Sequence, residues 1–335
     1  MGIKSNLFSL LDSPPEKSYQ SWMKTSDSLL ITGAGGLVGS ALVLQLQKAS
    51  YTNLLVPRFE ELDLCNQQQT NDYFQSHQID YVFHLAGHVG GIGGSVARPV
   101  EFLYENEMMA LNTIHSAYKK SVKKLLFLGS SCVYPRLCPQ PMKEEHLLTG
   151  LFEPTNEGYA LAKISGLKLC EYFNKQYGTN FISLMPCNLY GFKDHFESTN
   201  SHVISALIYK FHQGKMNNDQ NAPIWGSGKV RREFLFADDL AEAMIYFMSK
   251  YDAKEMPPFI NVGTGVDMSI LELAQLIKEI VGFKGGLQFD ASKPDGIPQK
   301  LMDVSKANLL GWQAKTSLHD GLKKVYQNYL NNLNS

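Results

Sequence analysis

The sequence predicts an α/β fold, a doubly wound parallel sheet joined to a smaller C-terminal α/β lobe. Three observations predict it. From residue 29 onward, short apolar runs alternate with longer stretches of helical period, the pattern of strands and crossover helices. A spaced glycine triplet, Gly33, Gly36 and Gly39, falls between the first run and the first helical stretch. Beyond Pro186 the texture changes to short elements separated by loops rich in Asn, Ser, Asp and Gly.

The first strand is 29–32 (LLIT). Residues 37–48 repeat apolar side chains at helical spacing, and 54–56 form the second strand. The runs 81–85 and 124–128 supply two more. Between them, 99–119 is long enough for a crossover helix, which the right-handed connection rule lays across one sheet face. Residues 159–177 read as a further helix, 180–185 as a buried strand, and 239–250 and 269–281 as helices. The segments 193–201, 214–222 and 284–300 read as loops. The expected division is an N-terminal extension over 1–27, a Rossmann-like dinucleotide domain over 28–186 and a substrate lobe over 187–335, interleaved with the first domain. In the extension, Leu7, Leu10 and Leu11 are available to pack on the body or on another subunit.

With 335 residues, 44% apolar and 19% charged, the chain can bury a full core. Its formal net charge of −1 lacks the basic excess that non-specific nucleic-acid binding needs, so an anionic ligand must meet local positive groups. The five cysteines form neither a CxxC pair nor a Cys/His cluster of metal spacing; no metal is expected, and a reducing compartment fits. No apolar signal block opens the chain and no run approaches membrane-spanning length, so a cytoplasmic protein is expected. The Gly2 myristoylation motif fails at Asn6, where it needs Ser or Thr.

A strand running into Gly33-x-x-Gly36-x-x-Gly39 and then a helix is the context in which such glycines bind a dinucleotide. Backbone without Cβ turns tightly, and the amides of Leu37, Val38 and Gly39 open the helix toward a pyrophosphate. The second strand ends in Val56-Pro57-Arg58 and offers no acidic residue for a ribose hydroxyl. Arg58 therefore reads either as the partner of an NADP 2′-phosphate or as an exposed strand-end cation. Asp63 and Leu64 can border the adenine or serve as ordinary loop residues.

Tyr159 and Lys163 stand four apart on one helical face, where the ammonium can lower the phenol pKa. That spacing gains weight from Gly129-Ser130-Ser131-Cys132, which leaves the 124–128 strand at its C-terminal end, where open α/β sheets place their sites. A serine hydroxyl there can hold a carbonyl while the tyrosine protonates the oxygen that hydride addition turns into an alkoxide. The glycine triplet, Ser, Tyr and Lys in this order resemble the extended short-chain dehydrogenase/reductase family, whose pattern makes Ser130 the catalytic serine and has Tyr159 and Lys163 contact the cofactor as well.

Five stretches narrow the resemblance: VGGI (89–92), FLGSSCVYP (127–135), EPTNEGYALAK (153–163), MPCNLYG (185–191) and NSHVISAL (200–207). They are similar to the GDP-L-fucose synthase family from about residue 29 to the C-terminal helix. The resemblance implies an NADP-dependent epimerase/reductase acting on a GDP-linked 4-keto-6-deoxy sugar, with inversion at C-3 and C-5 and hydride transfer to C-4. It implies a homodimer, with Cys132 and His202 as the acid/base pair and Asn188, Lys210, Trp225, Arg232 and Lys300 as ligands of the GDP-sugar. From the residues alone, Cys132 also suits a small core position, His202 a structural helix start, and the cations a solvated surface. Three positions depart from the family pattern: His88 where Lys is usual, Cys187 where Thr is common, and Gly35 where bacterial members carry Arg. His88 and Cys187 leave room for another GDP-4-keto sugar, a 3,6-dideoxy or heptose compound.

Overall fold

The computed structural model describes residues 23–196, 201–293 and 295–333, excluding the Ile92 side chain. Leu7, Leu10, Leu11 and Asn200 lie outside these. The main sheet is built from β1 (Leu29–Thr32), β2 (Leu54–Leu55), β3 (Tyr81–His84), β4 (Lys124–Leu128), β5 (Phe181–Pro186) and, from much later in the chain, β9 (Ile260–Val262). All six are parallel, in the order β2-β1-β3-β4-β5-β9. Every strand but β2 is buried along its whole length, as a sheet covered on both faces requires, which is why these strands read as unbroken apolar runs.

Helices α1 (Leu37–Lys48) and α7 (Ala237–Lys250) pack together on one side, and α2 (Gln67–Ser76), α4 (Pro99–Lys120) and α5 (Glu157–Tyr177) on the other. A short α3 (Ile92–Ala97) precedes α4. Lys124 opens β4 inside this core, its ammonium donating to the carbonyls of Phe247 (2.9 Å), Met248 (3.0 Å) and Tyr251 at the end of α7. Burial pulls it down to about 7, while the carbonyls it caps offset part of its lost hydration.

The seat of α5 on the sheet depends on Gly166. A Cβ there would stand 2.5 Å from Phe127 Cζ, and Phe127 is fully buried in β4 with its ring stacked on His84 at 5.8 Å. The helix therefore lies directly on an aromatic ring.

The second lobe contains β6 (Asn188–Tyr190), α6 (Val203–Asn217), β7 (Asn221–Trp225), β8 (Arg231–Phe236), β10 (Asp267–Ser269), α8 (Ile270–Val281), β11 (Gly286–Asp290), β12 (Gln299–Lys300) and α10 (Leu318–Leu333), while the short α9 (Ser305–Leu309) packs against β9 of the main sheet. β8 pairs with β6, β10 and β12, while β7 and β11 form a separate parallel pair. A distinct core of Phe211, Ile224, Phe234, Leu273, Ile277, Phe283 and Tyr329 fills this lobe.

The expected loops 214–222 and 284–300 are corrected here. The first holds the end of α6 and the start of β7, and the second holds β11 and β12. These strands are short, and their pairing partners lie far along the chain, so local composition does not mark them. Helix α2 escapes the apolar period because only Thr70 and Phe74 face inward, although Asn66 caps it by accepting from Gln69 N at 3.1 Å.

Gly166→Ala should destabilise the protein by about 1–3 kcal/mol, because Phe127 has no free space to enter. Urea unfolding checks this, and unchanged stability would mean that the ring can step aside.

Candidate active site

The sheet order reverses at β1, so the crevice opens above the C-terminal ends of β1 and β3. Gly33 follows β1 with φ +72°, and a Cβ there would lie 2.8 Å from Ala86 N at the end of β3. A Cβ on Gly39 would lie 2.1 Å from Gly33 O, so the first turn of α1 rests on the loop itself. Gly36 is the N-cap and supplies no side-chain cap, leaving the Leu37, Val38 and Gly39 amides without intrahelical acceptors. Around Gly35 the space is open to 4 Å. A tight glycine turn, an uncapped helix start and open space before it fit the pyrophosphate of a dinucleotide.

Thr32 stitches the two strands where they part. Its hydroxyl accepts from Leu85 N and Ala86 N, each at 3.2 Å, and lies 3.0 Å from His84 Nδ1. With both amides donating to it, the hydroxyl proton goes to Nδ1, which fixes the proton of a neutral His84 on Nε2. Burial drops that imidazole to about 3, so it stays uncharged.

Past β2 the chain turns outward. Arg58 is exposed, 3.8 Å from Glu61 Oε1. Asp63 Oδ1 accepts from Cys65 N at 2.9 Å, and buried Leu64 is held by Asn112 Nδ2 donating to its carbonyl at 2.8 Å.

At the end of β4, a Cβ on Gly129 would meet Met185 Sδ at 2.1 Å, so glycine lets the chain pass β5 with the Met185 side chain laid against it. Ser130 then caps a 3-10 turn at Ser131–Val133, its Oγ accepting from Cys132 N at 3.2 Å. Burial pushes the Tyr159 phenol up, charge on Cys132 adds to this, and a hydrogen bond with Ser130 pulls it back. Ser130, Cys132 and Tyr159 therefore share one neighbourhood.

The expectation that Lys163 lowers the phenol pKa is corrected. The Lys163 ammonium stands 5.7 Å from the Tyr159 ring centre and donates instead to Leu128 O at 2.9 Å, while burial brings it down to about 8. Desolvation is the leading cause of both shifts.

The C-terminal lobe reaches over this loop. Lys300 is buried, and its ammonium lies 3.6 Å from Cys132 Sγ. Arg232 is its register partner across β8 and β12, close enough to Cys132, Glu153 and Asp295 to feel their charges, although burial lowers its pKa. Two buried side chains hold this arrangement. Glu233 accepts from Thr264 N (2.6 Å), Gly265 N (2.8 Å) and Met302 N (2.7 Å). Asn261 accepts from Tyr134 OH at 2.6 Å and donates to Met142 O and Asp303 O.

His202 is the N-cap of α6, its Nδ1 3.1 Å from Asp194 Oδ1; that bond raises its pKa against the pull of desolvation. Among the described residues its hydrogen bonds run to Asp194 and into α6, and none joins it to Cys132. Asn188 spends its amide N–H on Glu233 O at 2.8 Å. Trp225 is 63% exposed, with the ammonium groups of Lys210 and Lys293 at 5.8 and 5.5 Å from its ring. Cys187 is buried and His88 Nδ1 pairs with Glu105 at 3.1 Å. A cavity of about 250 Å³ adjoins Tyr159, lined in part by Ser95, Phe102, Pro154 and Asn156.

Thr32, Asp194, Glu233, Asn261 and Lys293 escaped the sequence reading. Only Lys293 carried a signal, as a cation beside an Asp-Gly turn.

The model of the NAD dependent epimerase/dehydratase family matches residues 29–263. The chain belongs to this family. Within it, the GDP-L-fucose synthase of Escherichia coli (strain K12) is 48% identical over 310 residues, 91% of this chain and 97% of that enzyme. A GDP-6-OMe-4-keto-L-xylo-heptose reductase from C. jejuni superposes with a TM-score of 0.89 at 40% identity, covering 92% of this chain and 99% of that one. A GDP-L-fucose synthetase from Naegleria fowleri bound to NADP gives 0.85 at 29% identity, covering 93% and 95%.

A histidine raised by its partner stabilises the fold fully below its ordinary value of about 6.5, and that contribution fades as pH climbs through the raised value. In Asp194→Asn, NMR should show His202 titrating at lower pH. The stability advantage of the parent should be largest in acid and shrink with rising pH. An unmoved titration would mean that Asp194 does not hold the ring.

Proposed function

We propose that the chain is an NADP-dependent epimerase and reductase that inverts C-3 and C-5 of GDP-4-keto-6-deoxy-D-mannose and reduces C-4, giving GDP-L-fucose. The observation that carries this reading is a thiol, Cys132, two residues from the Ser130 that bonds Tyr159 and 3.6 Å from the Lys300 ammonium. A plain ketone reductase needs the serine and the tyrosine but not the thiol. The 48% identity to the E. coli synthase supports the same substrate.

Bound NADPH supplies the hydride that C-4 receives. The Leu37 and Val38 amides hold its pyrophosphate, Arg58 its 2′-phosphate, Asp63 and Leu64 border its adenine, and Tyr159 and Lys163 border its nicotinamide ribose. A 4-keto group acidifies the hydrogens on both neighbouring carbons, so one group removes a proton while another returns one on the opposite face. Cys132 and His202 take these parts. Asp194 favours the protonated form of His202, as an acid needs.

Ser130 holds the C-4 carbonyl while Tyr159 protonates its oxygen. The raised phenol suits this task, since it keeps its proton until an alkoxide asks for it. Trp225 stacks the guanine, Lys210, Arg232 and Lys300 meet the diphosphate, and Asn188 offers its free carbonyl oxygen to the sugar. Exposed Tyr104, Leu161 and Tyr172 on α4 and α5 suit a homodimer interface, and the five unbridged cysteines suit the cytoplasm.

A second reading, the same chemistry or part of it on a GDP-4-keto heptose, is favoured by the 0.89 superposition and by His88 and Cys187. Incubation with GDP-4-keto-6-deoxy-mannose and NADPH in deuterated water, followed by NMR of the product, separates the two. GDP-L-fucose deuterated at C-3 and C-5 is expected, and an untouched substrate would rule it out. Cys132→Ser should keep NADPH binding and lose exchange by roughly a hundredfold or more. Tyr159→Phe should suppress NADPH oxidation at 340 nm while exchange survives; equal loss of both would remove the division of labour.

A further inference from the structure

We propose that the cavity beside Tyr159 is the subsite that reads the hydroxyl group on C-3 of the sugar, with Ser95 and Asn156 as its polar contacts; this rests on reading Tyr159 as the proton donor to the C-4 oxygen. Short α3 packs on the 3-10 turn at Pro154–Asn156, and Ser95 of α3 and Asn156 of the turn both line the cavity. Ser95 is 7% exposed, and among the described residues its hydroxyl has no hydrogen-bond partner. Asn156 Oδ1 is buried and equally without one. Each unpaired polar atom carries a desolvation penalty. A ligand hydroxyl removes both penalties at once, accepting from Ser95 Oγ while it donates to Asn156 Oδ1.

The other walls limit what can enter. Phe102 lines the cavity and its ring meets Tyr159 edge-on at 6.4 Å, so the space reaches the phenol. A Cβ on Gly158 would stand 3.2 Å from Pro99 O and 3.3 Å from Leu103 Cβ, so a bare glycine lets the start of α5 close the space against α4. A helix start also suits an anion, but exposed Glu157 on the rim opposes one, and no Lys or Arg is among the lining residues. A neutral hydroxyl fits instead.

With the C-4 oxygen on Tyr159, the substituents of C-3 and C-5 flank the phenol. C-3 of the 4-keto-6-deoxy sugar bears a hydroxyl and C-5 a methyl, and of these the hydroxyl matches two unspent polar atoms. At about 250 Å³ the cavity has room for it in both configurations that inversion at C-3 produces. A 3,6-dideoxy sugar would leave Ser95 and Asn156 unpaired, so the subsite selects against one.

GDP-4-keto-6-deoxy-mannose and its 3-deoxy analogue, each with NADPH, are compared by kcat/KM at 340 nm. The parent should favour the 3-hydroxy sugar by about a hundredfold. Ser95→Ala should cut that ratio to about tenfold, and Asn156→Ala likewise, with the loss falling on the 3-hydroxy sugar. A residue that merely held the fold would slow both sugars alike and leave the ratio standing. Equal reduction of the two sugars by the parent, or a ratio that survives both variants, overturns the inference while the functional reading stands. A parent that reduces neither keto sugar sinks the functional reading, and calorimetry then decides the subsite with GDP-L-fucose and its 3-deoxy analogue. Tighter binding of GDP-L-fucose by about tenfold, abolished in Ser95→Ala, upholds it; equal binding overturns it.

Discussion

Helix α5 lies on β4 with nothing between Gly166 and the tip of the Phe127 ring, and the chemistry at the strand ends depends on that contact. The missing side chain sets the depth of the helix against the sheet. Depth in turn sets where Lys163 and Tyr159 project, because both leave the same helix and Lys163 lies 5.2 Å over the same Phe127 ring. The ring also stacks on His84, its register partner on β3, so the contact continues along the same face of the sheet.

Burial also decides the electrostatics. A phenol beside an ammonium ought to become more acidic, yet here the phenol is raised and the ammonium lowered. Lost hydration leads both shifts, and the ammonium spends its hydrogen bond on Leu128 O. The outcome is a tyrosine that holds its proton firmly and a lysine lowered to about 8, a pairing suited to giving a proton away and replacing it.

Buried polar groups join the two lobes, beside apolar contacts such as Leu235 of β8 in the main-sheet core. Glu233 binds three backbone amides from two stretches of chain, and Asn261 gathers the Tyr134 hydroxyl with the carbonyls of Met142 and Asp303. Satisfied in this way, buried polar side chains fix one arrangement, since any shift would strand a donor or acceptor away from water. That arrangement carries Lys300 onto Cys132 beside Arg232.

The glycine spacing after β1, the buried strands and the Ser130, Tyr159 and Lys163 positions were legible in the sequence, because a strand buried on both faces and a helix start without side chains leave local marks. The extent of α1 was legible to the residue. Residues whose value lies in a distant partner were not: Asn261 reads as one more polar residue between apolar ones, and Glu233 as one charge among 32 acidic residues. Strands β7, β11 and β12 are equally silent, being short and defined by neighbours far along the chain. Tertiary structure alone decided that Lys163 points to Leu128 O, that Tyr159 keeps its proton, and that Lys300 arrives at Cys132. Desolvation and long-range hydrogen bonding depend on what surrounds a group in space, and sequence order does not record that.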